Sequence, residues 1–212
     1  MNKEIRTSLI KKAKVLSKNN DSSHDFSHAK RVLMNAEYIA QSENADFDII
    51  IPAALFHDIV CYPKNDVRSN TSSDESAEVA RHVLKLLDGY PTYKISIVEE
   101  VIKQCSYRKG IIPDLLESKV IQDADRLEAT GAISIMRTFS SVGSMNKQLY
   151  NEEDPFCLER EPNSIEYGLD LFFTRLLKVE EQMHTVAAKM MARKRTKILN
   201  KFIDAFKEEI AI

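Results

Sequence analysis

Two of the five histidines and three aspartates have the side-chain types and spacing to do chemistry together: His28, the adjacent pair His57 and Asp58, and Asp123 and Asp125 around one alanine. Imidazole nitrogens and carboxylate oxygens suit borderline and hard divalent ions. Cys61, Cys105 and Cys157 form no close-spaced pair, so neither a structural zinc knuckle nor a disulfide framework is indicated. A His-Asp dipeptide alone is common, and a lone helical histidine is more often a core or capping residue. Here Asp58 ends an apolar run, where an ionised carboxylate is costly unless it is paired or metal-bound. Four protein ligands on a six-coordinate ion leave room for a water and a phosphoryl oxygen, an arrangement for hydrolysis rather than redox chemistry.

Helices must position these groups. Five glycines, six prolines and almost no period-two alternation leave too few breaks for a multistranded sheet, so the chain is expected to be all-α. A first helix is expected over about residues 3 to 18, with Ile5, Leu9, Ile10, Ala13 and Leu16 on one stripe, broken by Asn19 to Ser23. A second begins near Ser27 and places His28 in its first turn, with Val32, Leu33, Ala36, Ile39 and Ala40 toward a core. Asp46 and Asp48 precede a third, buried helix, Ile49 to Phe56, that delivers His57 and Asp58 at its C-terminal end. Pro52 is expected in its first turn, where no intrahelical donor is needed. Further helices are expected over about 73–87 and 92–107, then from 115 through Asp123 and Asp125 toward Phe139. The chain reads as a single domain spanning 1–212: a core of about 21–140, a loop-rich segment at 141–164 suited to a lid, and C-terminal helices over about 165–210.

The 212 residues suffice for one domain with a real core. A net charge of −2 gives no electrostatic reason to expect nucleic acid or an acidic membrane as partner. The N-terminus has no apolar signal core, and no stretch approaches the roughly 20 apolar residues of a spanning helix. Neither export nor membrane insertion is expected, and the cytoplasm fits best. The amphipathic C-terminal helices could pair in a homodimer.

His24-Asp25-Phe26-Ser27-His28-Ala29-Lys30-Arg31-Val32, Phe56-His57-Asp58-Ile59-Val60 with Pro63-Lys64-Asn65, and Gln122-Asp123-Ala124-Asp125-Arg126-Leu127-Glu128-Ala129-Thr130-Gly131 form an ordered set. With Arg137-Thr138-Phe139, Leu169-Asp170, Arg175-Leu176-Leu177, Thr185 and Arg195, it resembles the HD-domain metal-dependent phosphohydrolase superfamily, and within it a subfamily of small bacterial single-domain hydrolases. The likeness covers about residues 21 to 210. It implies an HD-type helical bundle with a C-terminal helical extension, and His28, His57, Asp58 and Asp125 as ligands of one divalent ion (Mn, Ni, Co, Fe, Mg or Zn). Residues two apart on a helix point to different faces, so either Asp125 or Asp123 faces the ion and the other supports it. The chain departs from the subfamily at Cys105 and Leu171, where histidines are expected, and at Arg175, which replaces a lysine. Larger relatives hold a second metal with more histidines. Here His82 falls at core spacing and His184 far downstream, so one ion is expected.

The implied reaction is attack of a water held by the ion on phosphorus in a phosphorylated small molecule, a nucleotide first among them, as a nucleotide pyrophosphohydrolase or a phosphomonoesterase. Asp58 is the first candidate to take the water proton and Asp123 the other. Arg31, one turn after His28, and Lys64, in the loop after the His-Asp pair, are substrate-phosphate candidates, though each is equally an ordinary surface cation. Arg175 is a third. Arg126 and Glu128 follow the last ligand and are expected to orient it rather than touch substrate. Tyr62, Tyr107, Phe139 or Tyr150 could stack a base, although aromatics at helical spacing are more often core. The competing reading is a nucleotide- or phosphate-binding signalling module that keeps the fold without turnover.

Overall fold

The computed structural model describes residues 1–19, 25–62, 66–106 and 109–210. Among these, nine α-helices and several short 3-10 segments carry the architecture, there is no strand, and one isolated parallel bridge joins Gln148 and Tyr167. The all-α expectation holds. None of these helices is long and apolar enough to cross a membrane. The chain divides into two compact units, Met1–Asp125 and Arg126–Ile212.

The first unit is built around α3 (Phe47–Phe56), which packs against α1 (Lys3–Leu16), α2 (Phe26–Glu43), α4 (Ser72–Lys85) and α5 (Ile95–Cys105). Every residue of α3 from Ile49 to Phe56 is buried, as expected of a helix that is apolar on all sides. Each of its large side chains contributes about 1.5–3 kcal/mol by leaving water. Asp46 caps its start, accepting the N–H of Asp48 at 2.9 Å.

The helix starts at Phe47, so Pro52 lies in its second turn rather than its first. A proline there cannot donate to the carbonyl four residues back, that of Asp48. The hydroxyl of Tyr90 donates to that carbonyl at 2.8 Å and replaces the missing amide. Burial pushes the Tyr90 hydroxyl well above its ordinary pKa, so it remains a donor. His82, expected at a core position, is instead exposed on α4.

The last helix of this unit, α6 (Leu116–Arg126), buries Val120, Ile121, Asp123 and Ala124. The expected continuous helix toward Phe139 is broken after Arg126. A 3-10 turn over Leu127–Ala129 closes with the Thr130 hydroxyl donating to the Leu127 carbonyl at 2.6 Å, Thr130 is extended, and Gly131 takes a left-handed φ of +67°. The left-handed region is open to glycine at little cost, which is why the chain turns here.

In the second unit, α7 (Gly131–Ser144) packs against α9 (Val186–Ile210), with α8 (Asp170–Thr174) and a 3-10 segment Leu176–Gln182 beside them. Leu169, Phe172, Leu176, Leu199 and Ile203 form its core. Phe139 and Tyr150, weighed as base-stacking candidates, belong to an aromatic cluster: Phe139 lies 6.1 Å from Phe172 and 5.9 Å from Phe202, and Tyr150 5.0 Å from Phe206 between ring centres. The segment after α7 has no helix before Asp170, but it is not loose. The Asp154 carboxylate accepts the amides of Leu158, Glu159 and Arg160, and Asp170, fully buried, holds Arg160 through two bonds of 2.6 and 2.8 Å.

Candidate metal centre

Three helices of the first unit deliver the cluster. Asp25 caps α2 by accepting the N–H of His28 at 2.9 Å, which fixes His28 as the third residue of the helix. His57 is the C-terminal cap of α3. Its Nδ1 lies 2.9 Å from the Ala54 carbonyl, one of the last-turn carbonyls that lack an in-helix donor. A carbonyl only accepts, so that bond puts a proton on Nδ1, and in the neutral ring Nε2 is then the nitrogen offered to a metal. Asp125 comes from the last turn of α6.

The Nε2 atoms of His28 and His57 lie 3.2 Å apart. Asp58 Oδ2 is 3.7 Å from the first and 3.5 Å from the second, and Asp125 Oδ1 is 3.6 and 3.8 Å from the same atoms. Among the described residues, His28, His57 and Asp125 are a group whose donor atoms all lie within 4.8 Å of one another. Metal–ligand bonds of about 2.1 Å put neighbouring donors about 3.0 Å apart in an octahedron and about 3.4 Å apart in a tetrahedron. The 3.2 Å between the imidazole nitrogens falls in that range, and the carboxylate oxygens stand beyond it, at 3.5 to 3.8 Å from them. Both imidazoles are buried while the two carboxylate side chains are 36% and 31% exposed, so the cluster opens to solvent on its acidic side. Two imidazole nitrogens and two carboxylates converging on one point are the donor types that borderline and hard divalent ions take, and the set therefore fits such an ion.

The other expected residues are placed as follows. Asp123 is fully buried in α6. Arg31 is half-buried on α2 one turn beyond His28, and Lys64 lies outside the described residues, as does Tyr107. Arg175 is the cap residue after α8, in the second unit. Arg126 donates to the Gln182 carbonyl at 2.7 Å and contacts His184 Nε2 at 2.8 Å. Buried Glu128 accepts from Arg137 at 3.1 Å. Tyr62 donates to Glu75 at 2.7 Å and lies under the Arg68 guanidinium, 4.4 Å from the ring centre. Sequence reasoning passed over Asn35, which donates from α2 to the Ala124 carbonyl at 3.2 Å; its position seven residues after His28, on the same face, was the available signal.

The model of the HD domain family matches residues 25–130. The Bacillus subtilis protein YpgQ is 29% identical over 193 residues, covering 89% of this chain and 85% of its own length. A crystal structure of YpgQ in complex with ADP superposes with a TM-score of 0.74 at 25% identity, covering 98% of this chain and 96% of that one. The Lin1889 protein of Listeria innocua superposes with a TM-score of 0.76 at 30% identity over 100% of this chain and 99% of its own. An HD-superfamily hydrolase from Bacillus thuringiensis gives 0.74 at 28% identity, covering 99% of this chain and 98% of its own. With the family match spanning half its length and similar folds covering nearly all of it, the chain belongs to the HD-domain phosphohydrolase superfamily.

Proposed function

We propose that the protein is a metal-dependent phosphohydrolase acting on a phosphorylated small molecule, with nucleotides the favoured class. The observation that carries this reading is the convergence of His28, His57, Asp58 and Asp125, whose donor atoms lie 3.2 to 3.8 Å from the two imidazoles. The ADP bound by YpgQ, a relative of similar fold, supports a nucleotide as ligand.

A divalent ion, when bound, supplies Lewis acidity toward a phosphoryl oxygen and acidifies water. The chain's own residues do the rest. His57 presents Nε2 because the Ala54 carbonyl holds its other nitrogen. Asp58, on the open side of the cluster, accepts the proton of the attacking water at a carboxylate oxygen. Fully buried Asp123 is the second acid–base candidate and lies away from the solvent-facing side that Asp125 shares. Arg31, one helical turn from His28, meets the substrate phosphate. Lys64 is a further phosphate partner in this reading, and Arg126 and Glu128 stiffen the chain after the last ligand.

The test is turnover by protein purified without chelator, offered nucleoside mono-, di- and triphosphates and sugar phosphates with Mn, Co or Ni, with products separated by ion-exchange chromatography. Metal-dependent release of phosphate or pyrophosphate, lost in Asp58→Ala, is the expected result. Stoichiometric metal with no turnover across the whole panel would replace this reading with that of a binding module.

A further inference from the structure

Ala124 sits between the two aspartates of α6, is completely buried, and belongs to the last turn of that helix. Carbonyls in a last turn run out of in-helix donors, and a buried one needs a partner from elsewhere. The Asn35 side chain supplies it, donating from Nδ2 at 3.2 Å. Asn35 is itself only 5% exposed, on a buried helix face whose other residues are apolar except for His28. A polar amide in that position is costly without its bonds, so the pairing is specific where apolar packing alone would tolerate sliding.

The position of this bond connects it to the metal centre. Asn35 lies two turns beyond His28 on the same face of α2, about 10.5 Å along the axis. Its acceptor is the residue immediately before Asp125. The bond therefore fixes α6 against α2 at a point one residue from one ligand, on the helix that carries another. A slip of α6 by a single residue would rotate Asp125 by about 100° away from the cluster.

We propose that Asn35 is a positioning residue of the metal centre: its buried amide sets the register of α6 on α2 and thereby the 3.6 Å separation of His28 Nε2 and Asp125 Oδ1. The proposal rests on the metal-centre reading above. It makes Asn35 part of the affinity for metal, without contact to the ion or substrate.

The test is Mn²⁺ binding to the full chain by titration calorimetry, with apo-protein melting measured in parallel. Asn35→Ala and Asn35→Ser are compared with Ser118→Ala, a truncation of a fully buried hydroxyl on α6 that has no hydrogen-bond partner among the described residues. Loss of a group that orients a ligand weakens metal binding by about tenfold or more, and that loss is expected in both Asn35 variants, the serine variant serving if the alanine variant does not fold. Ser118→Ala is expected to bind as wild type. In an Asp125→Asn background the Asn35 effect is expected to shrink to less than about twofold, because the route through Asp125 is gone. Asn35 variants that melt earlier yet bind Mn²⁺ within about twofold of wild type would overturn the proposal and reduce Asn35 to a stabilising core amide. A wild-type protein that binds no Mn²⁺ would instead overturn the metal-centre reading, and the proposal with it.

Discussion

Replacing Arg160 by methionine strips a buried carboxylate of its counter-charge. Asp170 has no exposed side-chain surface, and Arg160 grips both its oxygens at 2.6 and 2.8 Å while the Asn163 amide donates at 2.6 Å. Burial alone would push the Asp170 carboxyl up. The guanidinium and the amide outweigh it and hold the carboxyl below its ordinary range. Breaking a buried pair from one side costs about 3–5 kcal/mol, because the remaining charge stays desolvated. With about 2–4 °C of melting temperature per kcal/mol for a chain of this size, Arg160→Met should melt about 6 °C or more below wild type at pH 7. The sign with pH follows from the depressed native value. The stabilisation is fully present above the unfolded carboxylate pKa of about 3.9 and is lost as pH falls through the native one. The gap between wild type and variant should therefore narrow on acidification, since the orphaned carboxyl of the variant can take up a proton. Arg160→Met with Asp170→Leu should recover most of the loss, as apolar replacement of both partners often does. Urea unfolding of the three proteins between pH 4 and 7 measures this. A penalty below about 1 kcal/mol at pH 7, as for an exposed pair, would refute the reasoning.

Burial and the neighbouring Asp170 charge push the Cys157 thiol up to about 11, so at pH 8 only about 0.1% is thiolate; iodoacetamide should modify it far more slowly than an unhindered thiol, and labelling at a free-thiol rate would contradict this. Gly131→Ala forces an L side chain into φ +67° with its Cβ 3.3 Å from Arg195 Cβ, at a cost of about 1–2 kcal/mol in denaturant unfolding, and an unchanged midpoint would mean the turn relaxes freely. Tyr90→Phe removes the hydroxyl that donates to the Asp48 carbonyl opposite Pro52 and should cost about 1–2 kcal/mol; Pro52→Ala in the same background should return part of it by restoring the helical amide.

Much of the first unit was legible in the sequence because its signals are local. The apolar spacing from Val32 to Ala40 located α2, and Asp46 with the unbroken apolar run from Ile49 to Phe56 located α3, and with them His28, His57 and Asp58. The end of α6 was not legible. Leu127 to Phe139 keeps helical spacing, and only Gly131 marks a break, which the Thr130 hydroxyl closes on the Leu127 carbonyl. Pro52 misled for a similar reason: proline deep in a helix is tolerated only because Tyr90, 38 positions later in the chain, covers the open carbonyl. Motif spacing could not choose between Asp123 and Asp125, whereas burial and the 3.6 and 3.8 Å approaches to the imidazoles favour Asp125 as the ligand. Adjacency to Asp125 suggested that Arg126 orients the carboxylate; its bonds to Gln182 and His184, more than fifty positions downstream, carry no signal in local spacing.

The central claim is that two imidazoles and two carboxylates form one divalent-metal centre, and Mn²⁺ titration read by pulsed electron paramagnetic resonance tests it most directly. One ion per chain with nitrogen couplings from two imidazoles is the predicted spectrum, with one coupling lost in His28→Ala, the other in His57→Ala, and binding weakened in Asp125→Asn. Bound Mn²⁺ without imidazole nitrogen coupling, or both couplings retained in either histidine variant, would contradict the account.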